Sequence, residues 1–446
     1  MSRTLYDCPR ISRRITTTMF ATQSLARAAF LACGTVSAIV AIELSGNAAW
    51  VGVPAAVLQL AGAFAALAVS ATTEQIGRRR GLALGFGVGA LGMGVAAGAI
   101  VAGTFLLFLG GLALMGVASA AMLLGRFAVA EVNPPERRGR SISNVVIGGA
   151  IGSVVGPLIV GPSGKWALQA GVSELAGPFV AALIILAVAG LAIWIWLRPD
   201  PRDVGRKMAE KHPEPSAHPG SARSISQILR TPATAVAILA MALSQMVMVM
   251  VMVITSPYMI MNQHDLTDIS LVISAHTFGM FAFSFVSGRL TDRWGRGWVI
   301  LSGAGLLVLA CILVPLSPDV VPLSVALFLL GLGWNFCYVG GSTLLSDQLS
   351  SAERAKTQGT NDLLIGLATA AASLGSGLIF AFTGYAVMAM VGAAISLVPM
   401  GLTAWWMVSQ RGSQPLGPGP TRTEVNDGRL GESQTEWQSQ RDPLGA

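Results

Sequence analysis

Hydrophobic positions along this chain run in blocks of about twenty, separated by short polar or basic breaks. A bilayer core about 30 Å thick needs roughly 20 mostly apolar residues per helix, and twelve such blocks can be counted. They cover 20–44, 49–71, 82–103, 105–130, 142–162 and 176–197, then 233–257, 269–289, 298–317, 320–345, 360–383 and 385–408. Segment 199–232 is polar, basic and proline-bearing, and reads as a linker between two groups of six. Residues 410–446 are rich in Gly, Pro, Ser and Gln and read as a disordered tail. The expected chain is therefore an all-α membrane protein with twelve transmembrane helices. Its parts are a first half (1–198), a linker (199–232), a second half (233–409) and the tail (410–446).

Charge decides which side each loop faces. Of the 29 Lys and Arg residues, 26 fall in the tails and the even-numbered loops; only Arg27, Arg126 and Lys165 lie elsewhere. Positive residues stay cytoplasmic, so both termini are expected inside the cell membrane. A single miscounted helix would invert every later loop and destroy the bias. The same placement explains the net charge of +7 without nucleic acid as a partner. The basic lead Arg10, Arg13 and Arg14 precedes a retained first helix rather than a cleaved leader. Composition agrees, with 53% hydrophobic and 11% charged residues, against about a quarter charged in soluble proteins. Trp194, Trp196, Trp405 and Trp406 sit at span ends, where indoles anchor at the interface.

The two halves repeat. SATTEQIGRR at 70–79 precedes GRLTDRWGRG at 288–297 by 218 residues, which sets Glu74 on Asp292, Gly77 on Gly295 and Arg78 on Arg296. ERRGRSISN at 136–144 precedes ERAKTQGTN at 353–361 by 217. Two pseudo-symmetric six-helix bundles in parallel repeat are a transporter architecture, with the solute site at their interface near the midplane.

The loop GRLTDRWGRG resembles the signature G-x-x-x-D-R-x-G-R-[RK] of the major facilitator superfamily, departing at Gly297. Gly288 would let helices pack closely, Gly295 would permit the tight turn, and Asp292 could face the positive N-terminus of a helix in the other half. The resemblance implies that this loop, through Asp292, Arg293 and Arg296, latches the halves when the transporter opens outward. The first copy is eroded, with Ser70, Glu74 and Gln75 in place of Gly, Asp and Arg. Its Arg78, Arg79 and Arg80 either form a second latch or only set topology.

GGAIGSVVGPLIVGP at 148–162 resembles the G-x-x-x-G-P motif of exporters and drug/proton antiporters in that superfamily. Gly148, Gly152 and Gly156 share one helical face suited to close contact, and Pro157 should bend the fifth helix. The Arg that those antiporters carry four residues before a fourth-helix Gly is absent; Leu112 stands before Gly116. Arg126 and Glu131, with GWNFCYVGG at 333–341 and TQGTND at 357–362, resemble a bacterial branch of permeases that includes vitamin transporters.

Ionisable residues in spans are costly and mark function by default. Arg27 and Glu43 lie about 24 Å apart on the first helix; Glu43 is a rim or a coupling residue, and Arg27 is expected about two turns inside the cytoplasmic end, snorkelling. Glu131 is placed to pair with Arg78, and Arg126 to reach the cavity or Asp362. Asp362 either favours the start of its helix or carries a proton. A buried, hydrogen-bonded state suits His276 better than proton carriage, although its titration range permits the latter. Gln59, Gln245 and Asn335 are uncharged polar groups on helices 2, 7 and 10. The resemblance implies that helices 7 and 10 line the cavity, which makes Gln245 and Asn335 the expected solute contacts and Trp334 a stacking wall.

The run MVMVMVMV at 246–253 is no Cu(I) site, because Met246 and Met248 point nearly opposite ways on a helix. Cys8, Cys33, Cys311 and Cys337 lack disulfide or metal spacing. No P-loop, H-E-x-x-H or G-x-S-x-G is present. The chain reads as a secondary carrier and not an enzyme, with no cofactor, a small organic solute and a proton as partners, and a monomeric state. Proton-coupled export of an amphipathic compound is the first expectation; uptake or facilitated transport of a metabolite or vitamin is the alternative.

Overall fold

The structure, a computed structural model, describes residues 9–211 and 223–412; of the expected tail, everything from residue 413 lies outside them. Those residues are helical throughout, with no strand among them. The first six spans are α1 (Pro9–Ser45), α2 (Val53–Ile76), α3 (Arg78–Val101), α4 (Phe105–Glu131), α5 (Pro135–Leu158) with its continuation α6 (Val160–Gln169), and α7 (Gly177–Trp196). Two short helices, α8 (Pro201–Lys211) and α9 (Ile225–Leu229), belong to the linker. The second six begin with α10 (Pro232–Met261), then α11 (Leu266–Phe281) with α12 (Ser284–Trp294), α13 (Arg296–Leu313) and α14 (Val320–Asp347). The last two spans form one run, α15 (Ser351–Gly412), broken at Gly384 with φ 79° and ψ −179°. Counted by length and apolarity this run is a single segment, giving eleven. At 1.5 Å per residue the 55 residues of its apolar portion would extend about 80 Å, more than twice a bilayer, so it holds two spans and the total is twelve. From Val408 the chain forms a separate small unit, helical to Gly412.

Glycines set how closely the helices approach. An added Cβ at Gly92 would meet the Gly111 carbonyl oxygen at 2.5 Å, and one at Gly111 the Gly92 carbonyl at 2.6 Å, so α3 and α4 touch backbone to backbone. In the second half Gly303 and Gly333 do the same for α13 and α14, each 2.8 Å from the other's carbonyl. On α5, Gly148, Gly152 and Gly156 lie against Phe20, Ser24 and Ala28 of α1. Both rows advance by four residues, so the glycine ridge of α5 runs in register along the backbone of α1. Pro157 is followed at once by the break between α5 and α6.

The halves meet at the end of the bundle away from the basic loops. Ser274 on α11 donates to the Val154 carbonyl on α5 at 3.2 Å, Gly161 on α6 rests on Thr267, and Gly52 and Gly377 interlock with Ser373 and Ala49. At the opposite end Gly288 and Gly295 have nothing within 4 Å of an added Cβ, while Glu74, Asp292 and Arg293 are exposed. The cleft between the halves therefore opens toward the loops that carry the Arg and Lys residues. Phe64, Leu67, Leu106 and Phe382 stand out from the bundle flanks, each more than three-quarters exposed, as lipid-facing side chains do.

Candidate functional site

Two loops and one polar cluster border the cleft. In the first loop Gly77 takes φ 94° and ψ 157° between α2 and α3, a region essentially reserved for glycine. Arg78 then reaches Glu131 at the end of α4, Nη2 to Oε1 at 2.7 Å and Nε to Oε1 at 3.2 Å, and gives Nη1 to the Thr73 hydroxyl at 3.0 Å. Asp200, just before α8, accepts the backbone N–H of Arg78 at 3.1 Å and of Arg79 at 3.0 Å. It neutralises the positive first turn of α3. Glu74, the residue matched to the signature acid, is exposed and forms no ion pair among the described residues.

The second loop repeats the backbone almost to the degree: Gly295 has φ 90° and ψ 156°. Arg296 pairs with Asp347 at the end of α14, Nε to Oδ2 at 2.8 Å, and donates Nη1 to the Thr291 carbonyl at 3.3 Å. Three expected contacts belong to the closed loop end and are not made in this conformation. Asp292 does not meet a helix of the other half, Arg293 is without an ion-pair partner among the described residues, and Gly288 packs against nothing. The reason is the same for all three: the halves are apart at this end. The departure at Gly297 has a packing cause, because an added Cβ would lie 2.6 Å from Met407 Sδ.

The linker is fastened to both halves. Asp200 and the contact of Gly205 with Glu131 hold its start to the first. Arg223 holds its end to the second, donating Nε and Nη2 to the Glu353 carboxylate at 2.9 and 3.0 Å. The Arg223 hydrogen bonds, joined by the Ser350 and Arg223 backbone N–H groups, hold the Glu353 carboxyl well below the usual carboxylate range.

The cluster lies deeper. Trp334 and Tyr338, one turn apart on α14, stack with centroids 5.0 Å apart, and Phe281 meets Trp334 edge-on at 6.2 Å. Trp334 Nε1 donates to Gln245 Oε1 on α10 at 2.7 Å, fixing the indole plane. Asp362 on α15 and Arg126 on α4 lie near the Tyr338 phenol, no ion pair closes between them, and Arg126 Nε is buried without a partner. Arg126 Cζ lies 5.2 Å from the Phe127 ring.

Arg27 needs a correction. It is half-buried at the midpoint of α1, and its Nε donates to Ser153 on α5 at 3.1 Å, so it is tied inside the bundle and does not snorkel. Asn335 is turned away from the cleft. It is buried, and its amide donates to the Met280 carbonyl at 2.7 Å and to Ser284 Oγ at 2.9 Å, bracing the break between α11 and α12. His276 is buried with Nδ1 on the Leu327 carbonyl at 2.9 Å and Nε2 unpartnered. Glu43 is exposed near the end of α1, and Gln59 is exposed beside Gly366 of α15. Asp200, Asp347, Tyr338 and Ser153 escape sequence reasoning. Extending the 217-residue repeat from Glu131 reaches Gln348, next to Asp347, and stepping one helical turn from Trp334 would find Tyr338.

Twelve spans in two bundles, with a polar and aromatic cluster between them, are the architecture of a membrane carrier. The Major Facilitator Superfamily profile matches twice, at residues 19–267 and 237–439, and the chain belongs to that superfamily. It is 35% identical over 379 residues to the uncharacterized MFS-type transporter YdeG of Bacillus subtilis, covering 84% of this chain and 88% of that one. The riboflavin transporter RfnT of Brucella anthropi is 28% identical over 348 residues, 78% of this chain and 84% of its own. In fold the chain is similar to a bacterial homolog of the human lysosomal transporter Spinster in an inward-facing, unoccupied conformation. That similarity has a TM-score of 0.68 at 14% identity, covering 91% of this chain and 98% of that one.

Proposed function

We propose that this carrier moves a small organic solute bearing a planar aromatic group across the cell membrane, by proton-coupled alternating access. The observation that carries the reading is the Trp334–Tyr338 stack, its plane fixed by Gln245, set beside Arg126 and Asp362 where the two bundles face one another. With both termini cytoplasmic, as the charge bias implies, the cleft described above opens inward. Transport then consists of the half at 1–198 and the half at 233–409 rocking about the solute as a monomer, the loop at 288–297 engaging when the cleft closes. Asp362 is the candidate proton carrier best placed for the task. It is exposed to the cleft and faces an arginine whose charge it can release on protonation, whereas Glu43 sits at the rim and His276 is sealed in packing.

A metabolite is favoured over an exported drug as the solute. RfnT, which resembles the chain over most of its length, is a riboflavin transporter, while the 33% identity to the multidrug resistance protein MdtL covers 20% of the chain. The α5 glycines are accounted for by their fit to α1 and need no separate role in export. Efflux of an amphipathic compound is the second reading, supported by the half-buried Met246 and Met252 on α10, whose flexible thioethers make an adaptable wall. Right-side-out and inverted vesicles, loaded with riboflavin and a panel of aromatic compounds under opposite pH gradients, test both. Gradient-driven accumulation should disappear in Asp362→Asn while exchange persists. Full gradient-driven accumulation by that variant would remove Asp362 from the coupling, and accumulation that reverses sidedness would select efflux.

A further inference from the structure

We propose that the solute is an anion, a planar aromatic carboxylate or phosphate, and that its charge is what permits the carrier to close. The proposal rests on the aromatic cavity described above and adds the charge of its occupant. Neither Arg27 nor Arg126 forms an ion pair among the described residues, and a single carboxylate, Asp362, could balance only one of the two. Glu131 is already taken by Arg78. Arg27 has a hydroxyl, Ser153, as its partner, and Arg126 Nε has none.

The two guanidinium groups belong to one site. Gln23, one turn before Arg27 on α1, donates to the Met122 carbonyl at 2.7 Å, one turn before Arg126 on α4. These spans run in opposite directions, so the two arginines lie about 12 Å apart along the bundle axis. Long arginine side chains reach across that distance to the two ends of a bicyclic ring system. Arg126 lies nearer the open end, beside Tyr338, and Arg27 lies about 12 Å deeper, within the bundle.

Open to water, the cleft hydrates both cations. Closing it removes that water, and an unpaired charge in the middle of a membrane protein is strongly disfavoured. An anion supplies the missing counter-charge at the moment of closure; a neutral ring of the same shape does not. Helix tying alone explains Arg27 poorly, because a neutral donor could hold Ser153 equally well.

The test uses the reconstituted full chain and three probes on one ring, 2-naphthoate, 2-naphthyl phosphate and 2-naphthamide. Hydrogen–deuterium exchange at the open ends of α2 and α12 reports closure. At least one of the two anions should slow exchange at about tenfold lower concentration than the amide, and which one does so identifies the acid group. That preference should collapse in Arg27→Gln and return in Arg27→Lys. Without any probe, Arg27→Gln should already exchange more slowly than wild type, since the empty carrier then closes at less electrostatic cost. Equal closure by amide and anions overturns the proposal while leaving an aromatic carrier in place. If no probe closes the wild type, the empty-carrier comparison decides, and unchanged exchange in Arg27→Gln overturns it. Unaltered probe responses in both Trp334→Ala and Tyr338→Ala would instead remove the aromatic reading beneath it.

Discussion

The two repeated loops at the open end of the cleft share a backbone and differ in what holds them. Gly77 and Gly295 take the same glycine-only conformation, and each is followed by an arginine that reaches back to the end of a neighbouring span. By sequence the second loop is the complete one and the first is eroded. In the structure the eroded loop is the better anchored. Asp200 fills the space beside Gly77 and caps α3, while the corresponding space beside Gly295 is open. Completeness of the signature thus does not track how firmly a loop is held in this state, and the latch proposed for the other state would account for the second loop. The first loop has Glu74 in place of the signature aspartate and is held instead by an acid from the linker, Asp200, in a state where the halves are apart at this end.

The largest expected difference between the loops comes from alanine at the two glycines. The backbone conformation alone should cost about 1–3 kcal/mol at either position. At Gly77 the new Cβ also lands 2.5 Å from Asp200 Oδ2, and displacing that cap should add about 1 kcal/mol. Gly77→Ala should therefore lower the thermal midpoint in detergent further than Gly295→Ala, and Asp200→Ala should remove the excess. Equal shifts at the two glycines would break the claim that the first loop is the anchored one.

Transport should rank the loops the other way. Asp292 and Glu74 are both exposed here, but the second loop is the one expected to engage when the cleft closes. Asp292→Asn should slow turnover about tenfold, roughly 1.4 kcal/mol on the barrier, with solute affinity retained. Glu74→Gln should change turnover by less than about twofold on the same scale. Lost affinity at normal turnover in Asp292→Asn would contradict a latch and point to a role in the site itself.

The spans, the sidedness of the charges and the two glycine turns are legible in the amino-acid sequence, because each follows from a local property repeated along the chain. Even the split of the last apolar run at Gly384 falls between two counted blocks. What escapes depends on partners distant in sequence. Asp200 sits in a proline-bearing linker with no periodicity to mark it, and its role appears only when the linker folds back on α3. The orientation of Asn335 follows from a break at Ala282 and Phe283 that no Gly or Pro announces. The bond of Arg27 to Ser153 is hidden because it joins residues 126 positions apart on different helices. Of the cleft, Gln245 and Trp334 stand out as polar and aromatic groups in apolar helices; their bond to each other does not.

The smallest expected difference lies in the two ion pairs. Arg78 presents two nitrogens to Glu131 and a third to Thr73, with side-chain exposures of 16% and 30%; Arg296 presents one to Asp347, with 32% and 44%. Exposed pairs contribute about 0.2–1 kcal/mol, and forked, partly buried ones more. Double-mutant cycles on thermal stability should give a coupling of about 1 kcal/mol for Arg78–Glu131 and a few tenths for Arg296–Asp347. The cycle becomes more informative if repeated on protein driven closed by solute. Closure brings the second loop against the other half and dries it, so the Arg296 coupling should rise toward that of Arg78. A coupling at Arg296 that stays small in both states would mean that Arg296 only shapes its own turn, and the latch would then rest on Asp292 and Arg293 alone.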